Sequence, residues 1–229
     1  ADVRAENITY HEGSCRFTVS SKAHKNIDIT LKLPGVHNIQ NALAAIAVAW
    51  ETGVATPLIA EALSSFEGIA RRFQIYPDLM FKGQSILMVD DYAHHPNEIS
   101  AAFQAVRSSW PDKRLVVAFQ PHRYSRTRDL FDDFSRVLSE SDILVLSDVY
   151  PAGEAHIAGA DGKSLSRSIR QRGIITPIYI DSMNGLPETL LVILQEGDIL
   201  LTLGAGDIGR VASELPSQLF SLTEKGGAE

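Results

Sequence analysis

The stretch that decides the fold is residues 85–96, Ser-Ile-Leu-Met-Val-Asp-Asp-Tyr-Ala-His-His-Pro, in which an apolar run passes into a cluster of ionisable side chains. The run from Ser85 to Val89 is short, apolar and partly β-branched, which predicts a buried strand. The residues from Pro96 onward have apolar side chains at helical spacing, which predicts a helix. The cluster therefore follows the carboxyl end of a strand, where open α/β sheets bind their ligands. For this segment alone, the alternative is a helix-capping turn that is merely rich in polar residues.

The alternation of strand and helix continues along the chain. Further apolar strands are predicted at residues 114–119, 142–147, 174–180 and 198–203, with helices between them such as 130–138. Nearly continuous apolar strands separated by helices predict an α/β fold with a mostly parallel, doubly wound (Rossmann-like) sheet covered on both faces. Polar side chains follow four of these strands, at residues 90–95, 120–126, 148–154 and 204–207. Because parallel strands end at one edge, we expect these four segments to converge there.

The first third of the chain has a different pattern. Three β-prone segments between residues 7 and 33 predict a small antiparallel piece, and helices are predicted at 37–52 and from Thr56 to about Ser65. Residues 66–73 have the pattern of a connection between domains. We therefore divide the chain into residues 1–72, residues 73–222 and a tail at 223–229.

Composition excludes several classes of protein. With 229 residues, 45% of them hydrophobic and 21% charged, the chain is typical of a globular protein. A net charge of −7 argues against nucleic-acid binding, and no apolar run is long enough to span a bilayer, so neither nucleic acid nor membrane is an expected partner. The single cysteine, Cys15, excludes an intramolecular disulfide and favours a reducing compartment, so a cytoplasmic protein is expected. Cys15 is far in sequence from any base and is expected to be inert.

Two features point to a local anion site. Arg123 and Arg126 are three residues apart in a turn that leads into a helix, so both guanidinium groups can bind one carboxylate or phosphate. Solvated surface arginines are the alternative.

Residues 204–209, Gly-Ala-Gly-Asp-Ile-Gly, formally match a dinucleotide-binding fingerprint, but only one helix and a tail follow them, so the match is rejected. A glycine turn that lets backbone N–H groups approach an anion is the preferred interpretation.

A metal site is the competing interpretation of the polar cluster. Six side chains are plausible ligands: His94, His95, His122, Asp90, Asp91 and Asp148. All of them except His122 would serve a metal-dependent phosphoesterase, which is the alternative function of another class. Adjacent histidines rarely bind one metal ion, and the arginines compete for the same carboxylates, so no metal-binding residue is predicted. A ligand-binding module without catalytic activity is a third possibility.

Six motifs, in order across nearly the whole chain, together resemble the Mur ligase family: Gly35–Asn41, Phe66–Phe73, Asp90–Pro96, Phe119–Arg126, Asp148–Glu154 and Gly204–Asp207. The resemblance implies an ATP-dependent amide-bond ligase of peptidoglycan synthesis. It is greatest to the members that add L-alanine to UDP-N-acetylmuramate through an acyl phosphate. A murein-peptide ligase, which joins a whole peptide to the same sugar nucleotide, is the alternative within the family.

The resemblance also implies roles for individual residues. His37, Asn38 and Asn41 would bind ATP near its adenine, Arg72 its phosphates and Asp91 its ribose. The muramoyl and amino-acid side of the site would be formed by Tyr92, His94, Arg123 and Arg126. Arg72, Asp91 and His94 are the catalytic candidates of the family pattern. Helix capping by the two asparagines and an interdomain ion pair of Arg72 are the structural alternatives.

The chain departs from the family at its start. Family members of this type begin with a UDP-binding domain and a central domain that carries a glycine-rich Lys-Thr phosphate loop and the Mg²⁺ ligands. The present sequence begins inside the central domain, so ATP and Mg²⁺ are the expected cofactors but the Mg²⁺ ligands are expected elsewhere. The isolated chain is expected to be inactive.

Overall fold

The structure is a computed structural model that describes residues 2–81 and 84–226. Contacts along the chain divide it into two compact units. The first unit comprises the chain up to Ala70 together with Ala101–Asp112, and the second comprises Arg71–Ser100 and the chain from Lys113 onward. No helix within the described residues is both long and apolar enough to cross a membrane.

The first unit contains a three-stranded antiparallel sheet and two helices that follow it. The strands are β1 (Val3–His11), β2 (Ser14–Ser21) and β3 (Ile27–Leu31), and the helices are α1 (Val36–Glu51) and α2 (Thr56–Ser65). Alternate residues of β2 are buried, as expected for a sheet with one covered face. They pack with apolar residues of α1 such as Ile39, Ile46 and Trp50. The predicted antiparallel piece and both predicted helices are confirmed.

The second unit is built on a six-stranded sheet in the order β4-β5-β9-β6-β7-β8. Its strands are β4 (Gln74–Phe81), β5 (Gln84–Asp91), β6 (Leu115–Phe119), β7 (Ile143–Ser147), β8 (Ile178–Ile180) and β9 (Ile199–Leu203). All neighbouring strands are parallel except β4 and β5, which are antiparallel. Every residue of the central strands β6 and β9 is buried, which confirms the mostly parallel sheet predicted from their apolar sequences.

Among the described residues, six α-helices and a short 3-10 helix at Met183–Gly185 follow α2. The α-helices are α3 (Pro96–Ser109), α4 (Tyr124–Asp129), α5 (Phe131–Leu138), α6 (Gly162–Gln171), α7 (Leu186–Ile193) and α8 (Ile208–Gly226). In the second unit, buried apolar residues of α7 and α8 share one core with β5, β6 and β9. The helix predicted to begin at Pro96 and the helix predicted at 130–138 are both present.

Three elements differ from the sequence prediction. Strand β4 was not predicted, because Pro77 and Asp78 interrupt its apolar pattern. It is the edge strand, where a proline is tolerated, and its pairing with β5 shifts register between Tyr76 and Leu79. Strand β8 is confined to Ile178–Ile180 and does not begin at residue 174. Helix α8 continues through the start of the segment predicted as a tail, to Gly226, and residues 227–229 lie outside the described range.

Candidate functional site at the carboxyl edge of the parallel sheet

The polar segments that follow four strands meet at one edge of the second unit. Strands β5, β9, β6 and β7 are consecutive in the sheet, so their carboxyl ends lie side by side. The ring centroids of His94 and His122 are 5.9 Å apart, and those of His122 and Tyr150 are 5.4 Å apart and nearly parallel. Side chains that follow β5, β6 and β7 are thereby in contact, which confirms the predicted convergence.

Asp91, at the end of β5, is buried and turned toward the backbone. Its two carboxylate oxygens accept hydrogen bonds from the backbone N–H groups of Phe73, at 2.8 Å, and Ala93, at 2.7 Å. Burial raises the pKa of Asp91 to about 6, even though both hydrogen bonds favour the charged form. Asp91 therefore fixes the turn after β5 against the start of β4.

Tyr92 and His94 come next and face the edge. The Tyr92 ring is 36% exposed and makes an edge contact with the His94 ring at 5.4 Å between centroids. Nδ1 of His94 lies 3.0 Å from the backbone oxygen of Tyr92 and 3.6 Å from a carboxylate oxygen of Glu98. Both of these neighbours are acceptors, so a neutral His94 carries its proton on Nδ1 and leaves Nε2 as an acceptor.

Glu98, in the first turn of α3, holds the loop that carries His94. Its carboxylate accepts hydrogen bonds from the backbone N–H groups of His94, at 2.9 Å, and His95, at 3.1 Å. This is a capping arrangement in which a side chain of the first turn binds the N–H groups that precede the helix. The position of His94 is thus set by both its ring and its backbone.

The loop after β6 supplies the positive charge of the edge. Arg126 donates to the backbone oxygen of His122 at 3.2 Å, and its guanidinium is 3.3 Å from Nδ1 of the same histidine. Burial lowers the pKa of His122, and the charges of Arg126, His94 and Arg123 lower it further. Arg123 is half exposed and lies 3.9 Å from Glu154, whose carboxylate accepts two hydrogen bonds from Ser125.

The glycine turn after β9 is needed first for close packing. A side chain at Gly206 would collide with Gln120 Oε1 and with the ring of Tyr150, and one at Gly204 would collide with the backbone of Gln120. The N–H of Ile208, in the first turn of α8, donates to Gln120 Oε1 at 3.0 Å. The glycines therefore let the loops after β6, β7 and β9 approach one another, a role that the sequence did not reveal.

Two of the carboxylates considered as metal ligands serve other contacts. Asp90 is buried in an ion pair with Arg71, at 3.1 Å, and accepts from the Thr202 hydroxyl at 2.7 Å. Asp148 accepts from the backbone N–H groups of Val149 and Gly162, so it caps α6. Within residues 2–81 and 84–226, no three His, Cys, Asp or Glu side chains are placed to hold one metal ion.

The paired arginines before β4 have different environments. Arg72, a predicted site residue, is exposed, and its guanidinium carbon is 5.7 Å from the centre of the Tyr92 ring. Arg71, which sequence reasoning did not single out, has a side chain that is 24% exposed and is bonded to Asp90. The backbone of Arg71 has a φ of +59°, a left-handed conformation that is strained for a residue with a side chain.

The remaining predicted site residues lie in the first unit, at the start of α1. Gly35 precedes the helix with a φ of +99°, and the His37 ring packs against it. Burial lowers the pKa of His37, so its neutral form is favoured at neutral pH. Asn38 donates its side-chain amide to the oxygen of Pro34 at 2.8 Å, whereas Asn41 is exposed. Asn38 therefore binds the residue before Gly35 and does not cap the helix, since α1 has no side-chain cap, and its amide oxygen remains a potential acceptor.

The mostly parallel sheet and its helices define an α/β domain that carries arginine side chains at the carboxyl edge of the sheet. A family profile described as "Mur ligase, glutamate ligase domain" matches residues 71–206, and a profile described as "Mur ligase middle domain" matches residues 1–49. The first match covers more than half of the chain. The chain therefore belongs to the Mur ligase family, as its six motifs predicted.

Individual relatives agree with this assignment. "UDP-N-acetylmuramate--L-alanine ligase" of Methylococcus capsulatus is 53% identical over 220 residues, covering 96% of this chain and 47% of that protein. The protein of the same name from Xanthomonas campestris pv. campestris is 53% identical over 221 residues, covering 96% of this chain and 46% of that protein. The chain thus spans about half the length of the curated relatives it matches.

Solved structures show the same architecture. The crystal structure of UDP-N-acetylmuramate-alanine ligase from Thermotoga maritima matches with a TM-score of 0.80 and 27% identity, covering 96% of this chain and 46% of that one. A murein peptide ligase from Psychrobacter arcticus matches with a TM-score of 0.61 and 24% identity, covering 96% of this chain and 44% of that one. The second likeness concerns the fold alone.

Proposed function

We propose that this chain is the carboxyl-terminal part of a cytoplasmic, ATP-dependent ligase that joins L-alanine to UDP-N-acetylmuramate in peptidoglycan synthesis. The observation that carries the proposal is the 53% identity, over 96% of the chain, to two proteins named for that reaction. The murein peptide ligase, at 24% identity, is the weaker match of the two activities considered. A peptide acceptor is therefore the second candidate and L-alanine the first.

In this proposal the carboxyl edge of the sheet binds the two substrates that form the amide. Arg123 and Arg126 would bind the carboxylate of the muramoyl group or of the amino acid, since guanidinium groups pair well with carboxylates. Both arginines lie in the short segment after β6. The guanidinium of Arg126 contacts His122, whose ring lies against the ring of His94. The His94 ring in turn contacts Tyr92, so the arginine segment and these two side chains belong to one group. Tyr92, exposed at the edge, would contact the acceptor.

In its neutral form, His94 would have the tautomer that amide formation needs. The amine of an amino acid must lose a proton before or as it attacks the acyl phosphate, and the attack passes through a tetrahedral intermediate. A histidine with a proton on Nδ1 and a free Nε2 can accept that proton. We propose this role for His94, with the backbone oxygen of Tyr92 accepting its Nδ1–H and the negative charge of Glu98 nearby.

The ATP-binding residues are proposed from the family pattern and from their surroundings. Arg72 is exposed, so its guanidinium is available to a phosphate. A carboxylate has about four acceptor positions. Backbone N–H groups use two of those of Asp91, which leaves two for the ribose of ATP. His37, Asn38 and Asn41 are proposed as nucleotide-binding residues from the family pattern alone. Mg²⁺, which would neutralise phosphate charge, is proposed to bind in a part of the enzyme outside this chain, because the family pattern places its ligands there.

A phosphate-release assay tests the proposal. The full-length enzyme should release phosphate from ATP only when UDP-N-acetylmuramate and L-alanine are both present, and a tripeptide should replace L-alanine poorly. Preferred use of the tripeptide would make the chain part of a murein-peptide ligase instead. The 229-residue chain assayed alone should release no phosphate, and substrate-dependent release by it would contradict its proposed dependence on a phosphate loop elsewhere.

The same purified protein can be tested for phosphoesterase activity, which is the alternative function. That alternative requires metal-dependent cleavage of a phosphate ester without any amine substrate. It is disfavoured by the contacts of Asp90 and Asp148, which bind Arg71 and cap α6. Metal-dependent hydrolysis of a generic phosphomonoester by the purified chain, abolished by chelation, would support the phosphoesterase alternative.

A further inference from the structure

Arg71 connects three strand ends beneath the proposed substrate edge. Its Nε donates to Asp90 at 3.1 Å, at the end of β5, and its terminal nitrogen donates to the backbone oxygen of Gly204, just after β9. Its own backbone N–H binds the side chain of Gln74 at the start of β4. One arginine therefore ties together segments that are 19 and 133 residues away from it in sequence.

The same guanidinium lies against Tyr92. Its central carbon is 5.0 Å from the centre of the Tyr92 ring, within the range of a cation–π contact. The backbone oxygen of Arg71 accepts the N–H of Tyr92 at 2.8 Å. Tyr92 is thus held by both the backbone and the side chain of one residue.

The glycine turn and the start of α8 also depend on this arginine. A side chain at Gly209 would occupy the space filled by the Arg71 guanidinium, so the glycine leaves room for it. The bond to the Gly204 oxygen fixes the first residue of the turn, where φ is +142°. The arginine thereby sets how close this turn lies to the end of β5.

Arginine is required here by geometry and charge. Only a planar guanidinium offers several donors at fixed angles, which lets one side chain bind a carboxylate and a carbonyl together. Asp90 is almost fully buried, with 3% of its side chain exposed, so removal of its cation would leave a buried carboxylate without a charged partner. The left-handed backbone of Arg71 is a further sign that its position is imposed by these contacts.

We propose that Arg71 is a positioning residue of the ligase. Its Nε and one terminal nitrogen bind Asp90 and Gly204, so we assign it a role through these partners and not through contact with the substrates. It acts by fixing the Tyr92 ring and the Gly204–Gly206 turn at the edge where substrates bind. This inference rests on the proposed function of that edge.

The chain contains a matched control for this residue. Arg114 forms an ion pair of the same type with Asp198, through bonds of 2.8 and 2.6 Å, and donates to the backbone oxygen of Ile193 at 2.9 Å. The side chains of Arg114 and Asp198 are 30% and 3% exposed, close to the values for Arg71 and Asp90. Arg114 directly precedes β6, at the opposite, amino-terminal end of the sheet. The two arginines therefore have similar structural surroundings but different distances from the proposed site.

The test compares Arg71→Lys with Arg114→Lys in the full-length enzyme. Both variants should lower the melting temperature by similar amounts. Only Arg71→Lys should lower kcat/KM for ligation, by on the order of tenfold to a hundredfold, as expected for a lost charge-assisted hydrogen bond. Equal losses of kcat/KM in the two variants would show that the ion pair of Arg71 has only a structural role, and would overturn the proposal.

Tyr92 supplies a second readout. If Arg71 acts through Tyr92, the double variant Arg71→Lys, Tyr92→Ala should lose little more activity than Tyr92→Ala alone. Fully additive losses would contradict this route. The Tyr92 ring signals in an NMR spectrum, assigned with Tyr92→Phe, should move in Arg71→Lys and not in Arg114→Lys, and unmoved signals would overturn the positioning role. Because the spectrum needs no activity, a full-length protein without ligase activity would overturn the proposed function alone, and the ring signals would still decide the role of Arg71.

Discussion

Asp91 should give the stability of this protein a pH dependence that one substitution removes. Its carboxyl group is buried and its pKa is raised to about 6 from the usual 3.8. The folded protein therefore binds this proton more tightly than the unfolded chain does, so protonation favours the folded state. The resulting stabilisation is fully present below pH 3.8 and is lost as the pH rises through about 6.

The size of the effect follows from the two pKa values. A difference of one pKa unit is worth 1.36 kcal/mol, so the gap between 3.8 and about 6 corresponds to roughly 3 kcal/mol, most of it between about pH 4 and pH 7. Asp91→Asn keeps nearly the same shape but cannot ionise. It loses one acceptor for the N–H groups of Phe73 and Ala93, which adds a pH-independent loss of about 1–3 kcal/mol.

Urea unfolding of both proteins at several pH values between 4 and 7.5 measures the effect. The pKa of Asp90 is also raised, chiefly by burial, so the profile of the wild type alone does not isolate Asp91. The difference between the two proteins does isolate it. As the pH rises over this range, the unfolding free energy of the wild type should fall by roughly 3 kcal/mol relative to that of Asp91→Asn. Two parallel profiles would refute the reasoning.

Three further predictions concern other parts of the molecule. Gly206→Ala should lower the unfolding free energy by about 1–3 kcal/mol because the added methyl group collides with packed neighbours. Gly185→Ala, where a methyl group would meet nothing within 4 Å, should have little effect on the same denaturation curve. In the full-length enzyme, Arg123→Ala should lower kcat/KM about tenfold to a hundredfold, whereas Arg128→Ala, an exposed neighbour on α4, should not; equal values would remove Arg123 from the site. Cys15 is buried and burial raises the pKa of its thiol to about 11, so it should react with a thiol reagent at pH 8 only after unfolding, and rapid labelling of the native chain would contradict this.

The sheet could be predicted from sequence because its signals are local. The strands at residues 85–90 and 198–203 are apolar runs long enough to be recognised on their own, and the structure places β5 and β9 within one residue of those bounds. Strand β4 could not be recognised in this way. Its formation depends on pairing with β5, a tertiary contact that overrides the local preference of Pro77 and Asp78.

The candidate site was predictable in composition but not in side-chain direction. Sequence position shows that Asp91 and Tyr92 follow a strand, but only the folded turn shows that Asp91 binds backbone N–H groups while Tyr92 is exposed. The same holds for Arg71 and Arg72, which are adjacent and chemically identical. One is partly buried and the other exposed because Asp90 and Gly204, the partners of Arg71, come from distant parts of the chain.

The charges at the edge bear on how an acidic chain would bind anions, as proposed above. The net charge is −7, but three carboxylates near the edge have bonded partners: Asp90 binds Arg71, Asp91 binds two backbone N–H groups and Glu154 binds Ser125. These bonds hold the three carboxylates in fixed positions. The guanidinium groups of Arg72 and Arg123 are more exposed than the acids behind them. An anionic ligand that reached this edge would therefore meet the exposed guanidinium groups of Arg72 and Arg123, although the protein as a whole would repel it.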